Sequence, residues 1–315
     1  MKKKYVIGID IGGTNTIFGI VDADGNIISN NSIETAKYAD INLYIDKIHS
    51  LLKEMTKAIG GFDNIEGIGI GAPNGNYYTG NIEFAPNLPW KGVVELAKLI
   101  QAKFGLKTVV TNDANAAAIG EMIYGAAKGM RNFIEITLGT GVGSGIVVDG
   151  KVVYGHDGFA GELGHICVDR NGRICGCGRK GCLETYTSGP GIAKTARELL
   201  QNSERDSLLR RIKAEDITSK DVYEAAIQGD EIAKETFEYT GKILGEAFSD
   251  FVAFTTPEAF ILFGGPTKAG DLLLNPIVEH LEANLLKIWK GKVKVLRSEL
   301  KEADAAILGA AALAW

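Results

Sequence analysis

One short stretch of the chain concentrates the side chains that could bind a metal. Residues 161–185, GELGHICVDRNGRICGCGRKGCLET, hold all four cysteines of the chain together with His165. Thiolates and imidazole nitrogens are ligands that zinc prefers in proteins. Glu162 and Glu184 lie in the same stretch and supply carboxylates for a polar ligand. The stretch therefore indicates a metal site beside a binding site for a polar molecule.

The composition is that of a globular protein with more than one domain. The chain has 315 residues, of which 45% are hydrophobic and 23% charged, and its net charge is −5. This length favours two domains over one, and the negative charge argues against nucleic acid as a partner. No apolar run approaches the roughly 18 residues that span a bilayer, so we expect no membrane partner and a cytoplasmic location. In a reducing compartment, closely spaced cysteines are better interpreted as metal ligands than as disulfides.

Alternating strands and helices predict the α/β class. Residues 4–34 show three apolar strands separated by tight turns, and residues 40–59 carry apolar side chains at spacings of three and four. Further patterns predict strands at 65–71, 107–111, 259–263 and 293–296, and helices at 93–104, from 114, at 189–200, 219–228, 230–254 (with Asp230 as N-cap), 272–289 and 304–315. Such alternation is typical of an α/β fold.

Two segments of the chain share one layout. Residues 5–28 and 132–153 each contain an apolar strand, a Gly/Thr turn, a second apolar strand, a turn with Asp and Gly, and a third strand. Chance similarity between two glycine-rich hairpins is one explanation. The other is a duplicated domain whose glycine turns face each other across a cleft, and we favour it because both turns carry threonine beside glycine. Small residues let backbone N–H groups approach an anion, and hydroxyls add donors.

Six motifs in register resemble the ROK family, which is named for repressors, open reading frames and sugar kinases. In chain order they are DIGGT (10–14), APNLPW (85–90), NDANAAA (112–118), LGTGVGSG (138–145), GELGH (161–165) and CGCGRKGCLE (175–184). The resemblance extends from the first motif to the end of the chain. The cysteine motif behind GELGH is its most specific part.

The resemblance implies both an architecture and a reaction. The family has the actin-like ATPase fold, hexokinase and ribonuclease H-like, with two duplicated domains around a central cleft. We assign residues 1–112 plus 303–315 to a small N-terminal domain, and residues 113–302 to a large domain with a zinc site. The implied reaction is phosphorylation of a hexose by ATP with Mg²⁺. A structural Zn²⁺ and a homodimer are further family expectations.

The glycine turns are the implied phosphate-binding elements. Either turn alone would be better interpreted as an ordinary hairpin, but a matched pair favours a nucleotide. Asp10 is implied to hold Mg²⁺, through water, because this hard cation prefers oxygen ligands. Gly264-Gly265 resembles the turn on the adenosine side. The implied nucleotide-binding residues are Asp10, Gly12, Gly13, Thr14, Gly139, Thr140, Gly141, Gly264 and Gly265.

Asp113 is the residue we expect to act as the catalytic base. It lies at a strand-to-helix junction, where loops at the ends of an α/β sheet form a crevice. A carboxylate there could accept a proton from a sugar hydroxyl as that oxygen attacks the γ-phosphorus. The alternative is that Asp113 is merely the N-cap of the helix that follows. The residues alone leave the two interpretations even, and the resemblance at NDANAAA favours the base, with Asn112 as a sugar contact.

The remaining implied residues contact the sugar or the zinc ion. A hexose presents alternating donors and acceptors, which a pocket of carboxylates, amide and imidazole can pair. The implied sugar ligands are Asn87, Asn112, Asp113, Glu162, His165 and Glu184, and the implied zinc ligands are His165, Cys175, Cys177 and Cys182. Four protein ligands leave no open position for water, so the zinc is expected to be structural. Cys167 lies outside this set and is predicted to be a small buried apolar residue.

Alternative functions keep parts of the same site. The leading hypothesis is a glucokinase, and the alternative acceptor is N-acetylglucosamine or N-acetylmannosamine. The sequence departs from the family after Ala72-Pro73, where Asn74–Tyr78 replaces the usual Gly-Pro and aspartate near the sugar. A sugar-responsive repressor is the third hypothesis. Family repressors carry a helix-turn-helix domain before the first strand, which here begins near residue 4, so we expect an enzyme.

Overall fold

The fold is built on two five-stranded sheets with the same topology. The computed structural model describes residues 4–315, apart from the side chains at 302 and 303. The strands are β1 (Tyr5–Ile11), β2 (Asn15–Asp22), β3 (Ile27–Glu34), β4 (Ile65–Gly71), β5 (Ile82–Glu83), β6 (Val93–Val94), β7 (Lys107–Thr111), β8 (Phe133–Leu138), β9 (Val142–Val148), β10 (Lys151–Val152), β11 (Ala259–Phe263) and β12 (Lys294–Arg297). The strand orders are β3-β2-β1-β4-β7 and β10-β9-β8-β11-β12.

The two sheets repeat the same strand directions as well as the same order. In each, three consecutive strands form an antiparallel meander, and two later strands add in parallel beside the first of the three. The glycine turns that follow β1 and β8 therefore occupy equivalent positions. This repetition confirms the predicted duplicated α/β fold.

Helices cover the sheets, and the apolar core of residues 4–315 forms two large clusters and two smaller ones. The helices are α1 (Ile41–Met55), α2 (Leu96–Phe104), α3 (Asp113–Tyr124), α4 (Glu184–Thr187), α5 (Gly189–Gln201), α6 (Ser219–Ile227), α7 (Glu231–Thr255), α8 (Asp271–Asn284) and α9 (Glu302–Ala312). One large cluster joins the first sheet to α1 and α2, and we call this unit the first lobe. The other large cluster joins the second sheet to α5–α8, and this unit is the second lobe.

Helices α3 and α9 lie between the two sheets, where close approach requires glycine. The backbone of α9 packs on Gly8 and Gly69 of the first sheet, and α3 packs on Gly143 and Gly145 of β9. The two helices cross so closely that a Cβ at Gly120 would lie 2.8 Å from the Cα of Gly309. The division into 1–112 plus 303–315 and 113–302 stays a prediction.

Local patterns predicted most elements, and the differences have simple causes. The helix expected from residue 93 begins at Leu96, because Val93–Val94 pairs with Ile82–Glu83 as a small antiparallel hairpin. The helix expected to reach residue 289 ends at Asn284. Asp230 caps α7 as predicted, since its side chain accepts from the N–H of Ala233. Among the helices of residues 4–315, each is too short or too polar to cross a bilayer.

Candidate active site

A cleft of about 500 Å³ brings together most of the residues singled out in the sequence. Both lobes contribute to its lining. The predicted residues that line it are Asp10, Asn87, Asn112, Asp113, Gly139, Thr140, Gly141, Glu162, His165 and Glu184. Of the predicted nucleotide-binding residues, those outside the lining are Gly12, Gly13, Thr14, Gly264 and Gly265, which lie in turns next to lining segments. The predicted zinc ligands Cys175, Cys177 and Cys182 also lie outside the lining.

The glycine turns are closed by their own backbone hydrogen bonds. The N–H of Gly12 donates to the carbonyl of Asn15 over 2.9 Å, and the N–H of Gly139 donates to that of Gly141 over 3.0 Å. A Cβ at Gly13 would lie 2.7 Å from the carbonyl oxygen of Asn87, so the first turn packs on this loop. Around Gly139, by contrast, a Cβ would meet no protein atom within 4 Å. The second turn thus presents open backbone to the cleft, as an anion requires.

Asp113 is the first residue of α3, and its neighbour caps the helix. The Asn112 side chain accepts from the N–H of Ala114 over 2.9 Å, so the capping role considered for Asp113 belongs to Asn112. Asp113 Oδ1 also accepts from this N–H, over 3.0 Å. Its carboxyl opens to the cleft, while surrounding protein raises its pKa above the ordinary value and the N–H of Ala114 offsets part of that rise. A carboxylate with raised proton affinity suits a general base.

Asp10 ends the parallel part of β1 close to Asp113. Gly71 separates them, since a Cβ at Gly71 would lie 3.5 Å from both Asp10 Oδ1 and the Cα of Asp113. Burial raises the pKa of Asp10 to about 7, and the charge of Asp113 contributes to the rise. A cation beside these carboxylates would offset both effects, so the donor set fits Mg²⁺ bound through oxygen.

Three side chains form what we call the polar wall: Glu162, His165 and Glu184. His165 ends a single 3₁₀ turn, Leu163–His165, and Glu184 begins α4. Partial burial raises the pKa of Glu162, and the Asp113 and Glu184 carboxylates add to the rise while His165 offsets part of it. The wall therefore combines acceptors with an imidazole in the cleft that Asp113 also lines.

Ser144 of β9 fastens the polar wall to the second sheet. Its hydroxyl donates to the carbonyl of Gly161 and accepts from the N–H of Leu163 over 3.1 Å. Sequence reasoning missed this residue, although it lies within the LGTGVGSG motif. Alternation along β9 was the available signal, because it places Ser144 on the same face as Val142, which also lines the cleft.

The four predicted zinc ligands converge directly behind the polar wall. Their ligand atoms all lie within 4.8 Å of one another. His165 Nδ1 is 3.7 Å from Cys175 Sγ, and the sulfurs of Cys177 and Cys182 are 3.6 Å apart. Zn–S bonds of about 2.3 Å in a tetrahedron require sulfurs about 3.8 Å apart, so the arrangement fits zinc. With Nδ1 on the metal side, the other ring nitrogen of His165 is left for the cleft.

Cys167 differs from its prediction, because its side chain is exposed rather than buried. Its backbone pairs with Cys182 as an isolated antiparallel bridge, which turns it to the outside of the cysteine cluster. Its Sγ lies 3.6 Å from the carbonyl oxygen of Lys180. Proximity in sequence to a metal ligand therefore did not bring this residue into the core.

The fold agrees with comparison to known proteins. The model of the ROK family matches residues 6–315. The chain belongs to the ROK family. A solved ROK family glucokinase from Streptomyces griseus, in complex with glucose and AMPPNP, superposes with a TM-score of 0.78 at 35% identity and covers 98% of both chains.

ROK relatives of two functional kinds match nearly the whole chain. The glucokinase of Streptomyces coelicolor is 37% identical over 314 residues, covering 98% of this chain and 96% of the relative. The xylose repressor of Bacillus spizizenii is 31% identical over 307 residues, covering 95% of this chain and 74% of the repressor. The family is thus established, and its members that match this chain include both a kinase and a repressor.

Proposed function

We propose that this ATP-dependent sugar kinase transfers the γ-phosphoryl group of ATP to the 6-hydroxyl of glucose, with Asp113 as general base. One observation carries the proposal: the Asp113 carboxyl, the polar wall and the open Gly139–Gly141 turn all line a single cleft. A sugar between them has one hydroxyl near the base and its remaining hydroxyls near hydrogen-bonding partners. The glucokinase relatives support glucose as the acceptor.

The reacting proton moves to Asp113 as the new bond forms. The sugar oxygen attacks phosphorus, the bond from phosphorus to the ADP oxygen breaks, and the hydroxyl proton passes to the carboxylate. Asp113 must be ionised beforehand, although burial raises its pKa. Its bond from Ala114 favours the ionised form and fixes the carboxyl, so that one oxygen is held at the helix while the other is available to the sugar.

Two metal ions belong to the proposal, and each has a donor set that fits. When bound, Mg²⁺ would neutralise phosphate charge, and Asp10 would hold it through oxygen ligands. Zinc would be held by His165, Cys175, Cys177 and Cys182, and we assign it a structural role because four protein ligands close the site. Its contribution to the reaction is to fix the His165 ring that faces the sugar.

The polar wall supports recognition by paired hydroxyls. Once a bound sugar covers these side chains, a carboxylate or imidazole left without its partner costs about 1–3 kcal/mol, so an analogue that lacks one hydroxyl is discriminated against. Asn87 adds an amide from the first lobe, and Asn112 adds another at the start of α3. Retention of a carboxylate at the position of the base favours catalysis over mere sugar sensing.

The experiment is a coupled ADP-release assay with glucose, mannose, fructose, N-acetylglucosamine and N-acetylmannosamine, with and without Mg²⁺. We expect glucose to give the highest kcat/KM, and Asp113→Asn to lower kcat by about 10²–10⁴-fold with an unchanged thermal midpoint. Full activity of that folded variant would refute the base assignment. A preference for an N-acetylhexosamine would leave the chemistry and correct the acceptor. A homodimer, which we also propose, is tested by light scattering of the same preparation.

A further inference from the structure

Beside the cleft, the loop that continues from the lining residues Pro73 and Asn74 contacts a turn of the second lobe. The loop residues are Asn76, Tyr77 and Tyr78, which replace the usual family sequence, and the turn residues are Tyr154, Gly155 and Asp157. We call these six residues the latch. We propose that the latch is a further anchor of the polar wall, in addition to Ser144 and the metal ligands, and that Asn76 is a positioning residue for the sugar. The proposal rests on the proposed function.

Asn76 is the buried centre of the latch. Its side chain is 2% exposed, and its Nδ2 donates to the carbonyl of Asp157 over 2.7 Å. Its Oδ1 accepts from the backbone N–H groups of Tyr78 and Thr79, over 3.0 and 3.3 Å. One amide therefore holds the loop together through its oxygen and joins it to the other lobe through its nitrogen.

Gly158 shows how closely the two lobes approach at this point. It has a φ of +93°, and a Cβ there would lie 2.5 Å from Asn76 Oδ1. Glycine is required both by this left-handed conformation and by the space that the amide occupies. The turn is thus shaped to receive Asn76.

Three tyrosine rings extend the contact beyond the amide. Tyr77 stacks on Tyr154 with ring centroids 4.0 Å apart and planes at 4°. Tyr78 meets Tyr154 edge-on at 6.1 Å, and its hydroxyl donates to the carbonyl of Gly155 over 2.9 Å. Stacked rings and a hydrogen-bonded hydroxyl together fix both the distance between the loop and the turn and their relative orientation.

The position of the latch along the chain connects it to sugar binding. Asp157 precedes Glu162 by five residues, and the intervening backbone is held at Gly161 by Ser144. The following turn ends at His165, in the metal cluster. Segment 157–165 is therefore held by Asn76 at its beginning, by Ser144 in its middle and by the metal ligands at its end. Since Asn76 belongs to the first lobe, the position of the wall depends on how the lobes are joined.

Asn76→Asp separates the two roles of this amide. The aspartate keeps an oxygen for Tyr78 and Thr79 but places a second oxygen, instead of a donor, against the carbonyl of Asp157. We expect KM for glucose to rise about tenfold, with kcat and KM for ATP within about twofold, because displacement of the wall weakens sugar binding but leaves the phosphate turns in place. Tyr78→Phe, which removes only the bond to Gly155, should give a smaller rise of the same kind. Asn81→Asp adds the same charge to the same loop and should leave all constants unchanged.

The outcomes separate this proposal from the proposed function. Wild-type protein that releases ADP only with a hexose supports the function, and wild-type protein that does not would overturn both. If the wild type is active, an unchanged glucose KM in folded Asn76→Asp, or equal rises for glucose and ATP, would overturn the latch as an anchor of the wall. Should Asn76→Asp fail to fold, Tyr78→Phe decides: a selective rise in glucose KM supports the anchor, and unchanged constants contradict it.

Discussion

Glu135 on β8 is a fully buried carboxyl whose protonation should set the pH dependence of stability. Its side chain is 0% exposed, and its Oε1 accepts from the Thr137 hydroxyl over 2.8 Å. Within residues 4–315, its Oε2 has no hydrogen-bond partner. Burial raises the pKa of Glu135 well above the ordinary 4.5, and the charges of Glu121 and Asp113 add to the rise. The folded protein therefore holds a proton that the unfolded chain releases at lower pH.

The sign and the size of the effect follow from proton linkage. Below pH 4.5 both states are protonated and the favourable contribution is complete. As pH rises from there towards the raised pKa of the folded state, the unfolded chain binds fewer protons than the folded protein, so the free energy of unfolding falls. For one proton the loss is about 1.4 kcal/mol per pH unit. For a chain of this size that corresponds to about 2–4 °C in thermal midpoint per pH unit.

Glu135→Gln isolates this contribution, because glutamine has the same shape, keeps an oxygen for Thr137 and cannot ionise. We expect the variant to match the wild type near about pH 4.5 and to exceed it by a growing margin towards about pH 8. Thermal unfolding followed by circular dichroism across this range measures the margin. Glu66→Gln, at an exposed position of β4, is the control and should give a constant difference. Parallel wild-type and Glu135→Gln profiles would refute the reasoning, since they would show that Glu135 takes up no proton on folding.

Three further outcomes test the site. Cys182→Ser, or chelation, should remove about one zinc per chain and raise KM for glucose roughly 10–100-fold, with a smaller rise in KM for ATP. Metal analysis measures the zinc content, and the ADP assay measures the two KM values. Unchanged KM values in zinc-free protein would contradict the anchoring role. Gly139→Ala should raise KM for ATP at an unchanged thermal midpoint, because the added methyl meets no protein atom; an unaltered ATP titration would remove this turn from the phosphate site. Arg173→Lys should lower the midpoint of thermal unfolding by roughly 4 °C. The guanidinium of Arg173 donates hydrogen bonds to Thr185 and Thr195 and lies 4.5 Å over the Tyr186 ring. An unchanged midpoint would show that lysine replaces these contacts.

Sequence reasoning succeeded where a local pattern fixes a global feature. The matching layouts of 5–28 and 132–153 predicted two meanders, and the sheets reproduce them with the same strand order. The cysteine spacing likewise brought four ligand atoms together, because a short loop leaves its ligands few alternatives. In both cases the residues concerned are close in sequence, so the chain itself limits how far apart they can lie.

The features that escaped prediction depend on contacts between distant residues. Val93 and Val94 have helical neighbours, yet they form a hairpin because Ile82 and Glu83 offer a partner strand. Asn76 is of a residue type common in turns, and nothing in the local sequence indicates that its amide donates to the carbonyl of Asp157, 81 positions later. Such long-range pairings are decided by tertiary packing, which overrides local preference.

Glu184 connects the predicted metal cluster to the proposed phosphoryl-transfer site. Its Oε1 is 3.3 Å from Cys175 Sγ, and its Oε2 accepts from the N–H of Val142 over 3.1 Å, directly after the Gly139–Gly141 turn. One carboxylate thus contacts the predicted metal cluster and the residue that follows the proposed phosphate turn, and it also lines the cleft where we propose that the sugar binds. A ligand that displaces the Glu184 carboxylate changes its contacts with Cys175 and Val142. Occupancy of the sugar site and occupancy of the nucleotide site should therefore be coupled. By linkage, each ligand must change the affinity for the other by the same factor. Zinc bound by Cys175 would fix the sulfur that Glu184 contacts, and would thereby fix the side chain shared by the two proposed substrate sites.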